Sequence, residues 1–185
     1  MQIRQFLPIL GFAGLSQTKP SAMFVSHAAS ALDIQDFLIS EVISTEVEDR
    51  TLKTWNRTLS FIFSDPNANT ATKCASGWYK DSTADRAPYS YVYCAFLSLG
   101  LASSTNSAAP ANGFSIWKFK TYTSPGEFEL SVAHSFSDPV HYPPPYNYVE
   151  YFANVDISLQ CSQRRRKSKC VSNGTIVAEI TGISN

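Results

Sequence analysis

In RTLSFIFSD, Arg57–Asp65, apolar and polar positions alternate. Leu59, Phe61 and Phe63 fall on one face, and Thr58, Ser60 and Ile62 on the other. A period of two marks a strand with one face turned to a core. The DPNAN that begins at Asp65 is a turn signal. The same grammar recurs downstream. FSIWKFK sets Phe114 and Ile116 against Trp117 and Phe119, and FELSVAHSF aligns Phe128, Leu130 and Val132. SYVYCAFLSL, YFANVDISLQC and TIVAEITGI are further β-rich runs, with SNG as a turn before the last.

One stretch is ambiguous. In DIQDFLISEVISTEVED, Ile34, Phe37, Leu38 and Val42 have helical spacing. The β-branched residues and the alternation in FLISEVIS favour a strand or strand pair. Two stretches read as long loops: the small, polar Ala102–Gly113, and the proline-rich Ser137–Tyr148, where PPP favours polyproline II. Neither an internal repeat nor an interdomain linker is visible. The expectation is one all-β domain over residues 32–185, an antiparallel barrel or sandwich.

The N-terminus changes the picture. Arg4 precedes an apolar run, Phe6–Leu15, which is followed by small and polar residues. This is the layout of a secretory signal peptide, expected over residues 1–22, with a second small-x-small site at Ala31. The run is too short to span a bilayer, and no later stretch is apolar enough. An exported chain with Cys74, Cys94, Cys161 and Cys170 is expected to form two disulfides, for which three pairings exist. Neither close pair of cysteines has the spacing of a zinc site, so no metal is expected. Asn56 and Asn173 open glycosylation sequons, NRT and NGT.

Fifteen basic residues balance fifteen acidic ones, but five of the basic residues lie in CSQRRRKSKC. Arg164, Arg165, Arg166, Lys167 and Lys169 form a basic finger on an otherwise acidic body. In an exported protein a nuclear address is useless. The finger is then an exposed loop, either merely solvated or a foot for an anionic partner: pectin-like glycan, phospholipid headgroups or an acidic protein. Nucleic acid is not expected, because no aromatic residue interleaves the charges. Tyr142, Tyr146 and Tyr148 in the Pro/Tyr loop are candidate contact residues or a rigid lid.

Catalytic signatures are missing: there is no G-x-S-x-G, H-E-x-x-H, P-loop or G-x-G-x-x-G. The histidines are His27, His134 and His141, and any triad would have to be assembled across the fold. Trp55, Trp78 and Trp117 read as core in preference to a ligand cavity. No catalytic residue and no cofactor is expected. The runner-up is a secreted hydrolase acting on cell-wall polysaccharide or protein, its carboxylates drawn from Glu46, Glu48, Asp49, Glu127, Glu129, Glu150 or Asp156.

The order of features carries a resemblance. A D-I-x-D-F segment at Asp33–Phe37 is followed by LSFIFSDPNANTATKC, an aromatic strand bearing Cys94, and a closing DISLQC with Cys170 and GTIVAEI. This resembles the Alternaria major-allergen-like family of secreted fungal β-barrel proteins, over about residues 32–183. Leu32 stands where that family commonly has Trp, and the RRRKSK insert is unusual. The resemblance implies Cys74–Cys94 and Cys161–Cys170 pairing and a non-enzymatic effector or allergen-like role. It also implies binding of a host (plant) extracellular protein or small phenolic, and dimerisation.

Overall fold

Burial follows the alternation. Leu59, Phe61 and Phe63 are essentially inaccessible, while Thr58, Ser60 and Ile62 keep contact with solvent. The computed structural model describes residues 34–95 and 113–185. The expected signal segment with His27, Asp33, the last four residues of SYVYCAFLSL and most of the Ala102–Gly113 stretch lie outside these residues.

The described strands are β1 (Phe37–Asp49), β2 (Thr54–Asp65), β3 (Thr70–Lys80), β4 (Val92–Tyr93), β5 (Phe114–Ser124) and β6 (Glu127–Ser137). They continue with β7 (Tyr148–Ser158), β8 (Gln160–Arg164), β9 (Lys167–Val171), β10 (Ile176–Ala178) and β11 (Ile180–Ser184). The ambiguous segment is a strand, β1. It starts at Phe37, so Ile34–Asp36 only lead into it. Pairing is antiparallel in two sheets. Sheet A runs β3-β2-β1-β9-β8, with β10 also on β1, and sheet B runs β11-β7-β6-β5-β4.

The architecture is a sandwich rather than a closed barrel. The sheets approach each other where the β3 edge meets the end of β4, through one isolated bridge, Lys73 to Ala95, and the Cys74–Cys94 disulfide. Elsewhere side chains join them. Phe61 meets Trp117 edge-on at 5.5 Å, and Trp78 meets Phe119 at 5.2 Å. Edge-to-face rings with this spacing add to the burial they bring. Trp78 and Trp117 are core residues, as expected, and Trp55 is half-buried.

Two runs that read as single strands each serve both sheets. YFANVDISLQC leaves sheet B at Leu159 and enters sheet A as β8. TIVAEITGI pairs with β1 through Ile176–Ala178, then crosses at Glu179 to pair with β7. A bulge between Ser40 and Ile43, with Glu41 at φ 51°, divides the free side of β1. Phe37–Ile39 receive β10 and Ile43–Val47 receive β9. In the proline-rich loop the Pro144–Pro145 bond is cis.

The second disulfide is seated against the opposite sheet. Cys161 and Cys170 face each other across the β8–β9 ladder, and the Leu159 N–H donates to Gly126 O at 2.8 Å. A Cβ at Gly126 would sit 2.5 Å from Cys161 Sγ and 3.6 Å from Cys170 Sγ. A bridged sulfur cannot swing aside. Gly126→Ala should therefore destabilise the protein by about 1–3 kcal/mol in denaturant unfolding. In a Cys161→Ala/Cys170→Ala background the same change should cost much less, because the obstructing sulfur is gone.

Candidate functional site

The basic finger is a β-hairpin and the edge of sheet A. Arg165 and Arg166 form its two-residue turn, with Arg165 at φ 50°. In a two-residue hairpin loop a positive φ matches the twist of the strands. The Cys161–Cys170 bridge closes the base, with Cys170 fully buried. Alternation sends Cys170 and Ser168 inward and leaves Lys167 and Lys169 exposed, with Arg164 opposite Lys167. Among the described residues, Arg166 is the one of the five cations held by a carboxylate, through Nε to Glu48 Oε2 at 3.2 Å. The Glu48 N–H also donates to Arg166 O at 3.1 Å. An open groove of about 530 Å³ runs along the hairpin, lined by Val47 and Arg164–Lys167.

Beneath this end of the sandwich lies a second charged cluster that the sequence did not disclose. Arg57, only 7% exposed, bonds Glu46 Oε2 through Nε at 2.6 Å and also pairs with Asp85. Its guanidinium lies over the Tyr122 ring at 5.1 Å. Burial works against the Arg57 charge, yet Tyr122 and the two carboxylates outweigh it and raise its pKa. Burial pushes the Tyr122 hydroxyl up, so the phenol stays neutral. A desolvated arginine with two carboxylates and a ring face holds the structure rather than being open to a ligand.

The tyrosine candidates stand at the other end, in the loop after β6 and at the start of β7. Tyr146 is 66% exposed and Tyr148 52%, whereas Tyr142 packs partly against the core. The structure does not bring them together with the hairpin.

Near them is a buried acid–histidine–tyrosine network. Asp65 of β2 and His134 of β6 are both fully buried and meet across the sheets, with Oδ2 and Nδ1 2.7 Å apart. Asp65 Oδ1 accepts from Asn67 N at 2.8 Å and Asn67 Nδ2 at 2.9 Å. Asp138 Oδ2 accepts from the Tyr151 hydroxyl at 2.6 Å and lies 2.7 Å from His141 Nδ1. The network thus ties the Pro/Tyr loop to the core. A small opening of about 150 Å³, lined by Asn67, Phe136, Asp138 and Val140 among others, adjoins it. The sequence places Asp65 in a turn signal, Asp138 in the proline-rich loop and His134 on a strand, but nothing local joins Asp65 to His134, 69 positions apart.

Both disulfides pair as the family resemblance implied, and no described cysteine is free. Asn56 lies exposed on the outer face of β2 and Asn173 in an exposed turn before Gly174, at φ 131°. Among the described residues no group of His, Cys, Asp and Glu is arranged to hold a metal ion. No protein-family model, curated protein or solved structure matches this chain.

The Asp138 contacts set a pH dependence. Burial pushes this carboxyl up, but bonds from the Tyr151 hydroxyl, the His141 ring and the His141 N–H together hold it below the usual range. A depressed carboxyl stabilises the fold above its unfolded pKa of about 3.9, and that stability is lost as pH falls through the folded value. The melting temperature should fall on acidification below about pH 4. Asp138→Asn should lower it at neutral pH and flatten the acid limb, as measured by thermal melts from pH 7 to pH 2.

Proposed function

We propose that this chain is a secreted, non-enzymatic binding protein whose disulfide-clamped basic hairpin docks on an anionic extracellular partner. The carrying observation is the hairpin itself: five cations on a rigid edge, four of them without a carboxylate partner among the described residues. Cations left unpaired beside an open groove keep their potential for something outside the chain. The two disulfides support an oxidising compartment, in keeping with the signal-like N-terminus. A role at a host surface, as an effector or allergen-type molecule, is what the sequence resemblance to the Alternaria major-allergen-like family implies. Exposed Asn173 suits glycosylation there.

The buried network gives the hydrolase alternative one specific footing, the Asp138–His141 pair beside a small opening. An aspartate that orients a histidine is half of an acyl-transfer site, but a nucleophile is also required.

Binding of the purified protein to a plant extracellular fraction should fall steeply between about 50 and 500 mM salt. Replacing Arg164, Arg165 and Arg166 with Ser should leave the melting temperature nearly unchanged and remove most of that binding. Retention that is indifferent to salt and to the triple substitution would exclude the hairpin from function. Turnover on a cell-wall substrate panel, abolished by His141→Ala, would move the site to the network.

A further inference from the structure

The hairpin is one border of a larger surface. Register alone builds it. One row across the outer face of sheet A runs Arg164, Lys167, Val47, Asn56 and Tyr79. The next runs Ser162, Lys169, Thr45, Thr58 and Gly77. Below these, Ile43 pairs with Ser60 and Ser60 with Ala75, and then Ile62 pairs with Lys73. Burial confirms the face: odd-numbered β3 residues such as Lys73, Ala75 and Tyr79 are exposed, while Thr72, Cys74 and Trp78 are buried.

Three properties of this face restrict what fits it. First, it is bordered by cations on both sides. Arg164, Lys167 and Lys169 line one edge, and Lys73 lines the other, with Arg86 stacked over the Tyr79 ring at 5.0 Å. Glu46 and Glu48 of β1 sit on the inner face, engaged with Arg57 and Arg166. Asp49 lies at the end of the strand, capping the Thr51 and Leu52 N–H groups. These three β1 carboxylates are therefore engaged away from this surface, while Glu41 is exposed at the bulge. Second, the floor mixes hydroxyl and amide groups with aliphatic ones: Thr45 and Thr58 share a 2.7 Å hydrogen bond, with Ser60 and Asn56 beside them and Ile43 and Val47 between. Third, Gly77 and Ala75 leave a trough toward β3, where bulky side chains would have raised a ridge.

We propose that the outer face of sheet A is a platform for a linear anionic polysaccharide, lying across the strands from the basic hairpin to Lys73. This deepens the anionic-partner function above and rests on it. Five strands span about 19 Å between β8 and β3, so the ligand must be extended and carry charge along its length. Cations dispersed over that distance suit one carboxylate per sugar, whereas a single phosphate would call for convergent donors. Sugar hydroxyls match the Thr, Ser and Asn floor. An anionic membrane fits less well, because Val47 is the one apolar side chain lining the groove at the hairpin tip, too little to insert. Nucleic acid lacks a free stacking platform, since Arg86 already covers Tyr79.

The test titrates the full protein with polygalacturonate oligomers of increasing length, with Lys73→Glu and Ser60→Asp as variants remote from the hairpin. Affinity should climb with length until the oligomer spans the sheet. Each variant should weaken long chains about fivefold, a screened pairwise effect, and leave the shortest oligomers unchanged. Melting curves check that each variant folds. Length-independent binding, lost only in the Arg164/Arg165/Arg166 triple variant, would overturn the platform and leave the hairpin function standing. So would preference for single-stranded nucleic acid or anionic vesicles, or a stoichiometric glycan on Asn56 of the secreted protein. Absence of salt-sensitive binding to any of these anions would overturn both.

Discussion

The surface of this protein depends on one strand pairing, β9 against β1. Five consecutive residues, from Lys167 to Val171, lie along Ile43–Val47, and that ladder turns the most basic segment of the chain into part of a sheet. Without it the segment would be a short disulfide loop with five mutually repelling cations. With it, every second side chain faces outward at strand spacing, and the positions of the charges follow from the backbone. The bulge at Ser40–Ile43 makes the pairing possible by ending the contact of β1 with β10 and starting that with β9. The Val42 N–H then finds Ser172 Oγ at 3.1 Å, and the Ser172 N–H finds Val42 O at 3.0 Å. The Val42 N–H and C=O thus both stay paired at the changeover, as buried backbone requires.

The two ends of the sandwich use charge in opposite ways. At the hairpin end, Arg57 is sunk between Glu46 and Asp85, and its attraction is consumed internally. At the other end, Asp65 and His134 bolt sheet to sheet, and Asp138 fastens the Pro/Tyr loop through Tyr151 and His141. Buried pairs of this kind are expensive to break and contribute little net stability compared with apolar packing. Their effect is to fix register: each accepts one partner geometry, so the aromatic layer between the sheets has one way to close. The exposed cations of the hairpin have no such internal duty.

Much of the fold was legible because period two is a local property. Phe61 and Phe63, or Trp117 and Phe119, declare their face within a few residues, and FLISEVIS does so despite its helical spacing. Which sheet a strand joins is not local. The crossings at Leu159 and Glu179 interrupt apolar runs that look continuous, and no turn signal marks either one. A sandwich and a barrel share the same alternation and differ only in whether edges meet, so the choice between them was not readable. The basic segment was visible as composition and the pairing of its flanking cysteines through a family resemblance. Arg57, Asp65, Asp138 and His134 were invisible as clusters, because each partner is supplied by a distant strand. Tyr142, Tyr146 and Tyr148 shared a loop in sequence, yet the core claims part of Tyr142 and leaves the other two exposed.

Charge on an edge strand has a second consequence, which bears on how the basic hairpin is weighed. An edge with free N–H and C=O groups invites pairing with another chain, and lysines or arginines there discourage it. That protection would be met by one or two cations on β8, the outermost strand of sheet A. It does not account for Lys167 and Lys169, which lie on β9, one strand inside the edge, with β1 on their other side. Lys73 sits on β3, the opposite edge of sheet A, where the same protection applies. Cations on interior strands and on both borders of one face, with Glu46, Glu48 and Asp49 of β1 engaged inward or in capping, amount to a polarised surface. Its polarity is set by the β1–β9 register. A slip of one residue would send Lys167 and Lys169 into the core and Cys170 out to solvent, breaking the Cys161–Cys170 bridge. The disulfide and the basic face are therefore held by the same constraint, and neither can change register without the other.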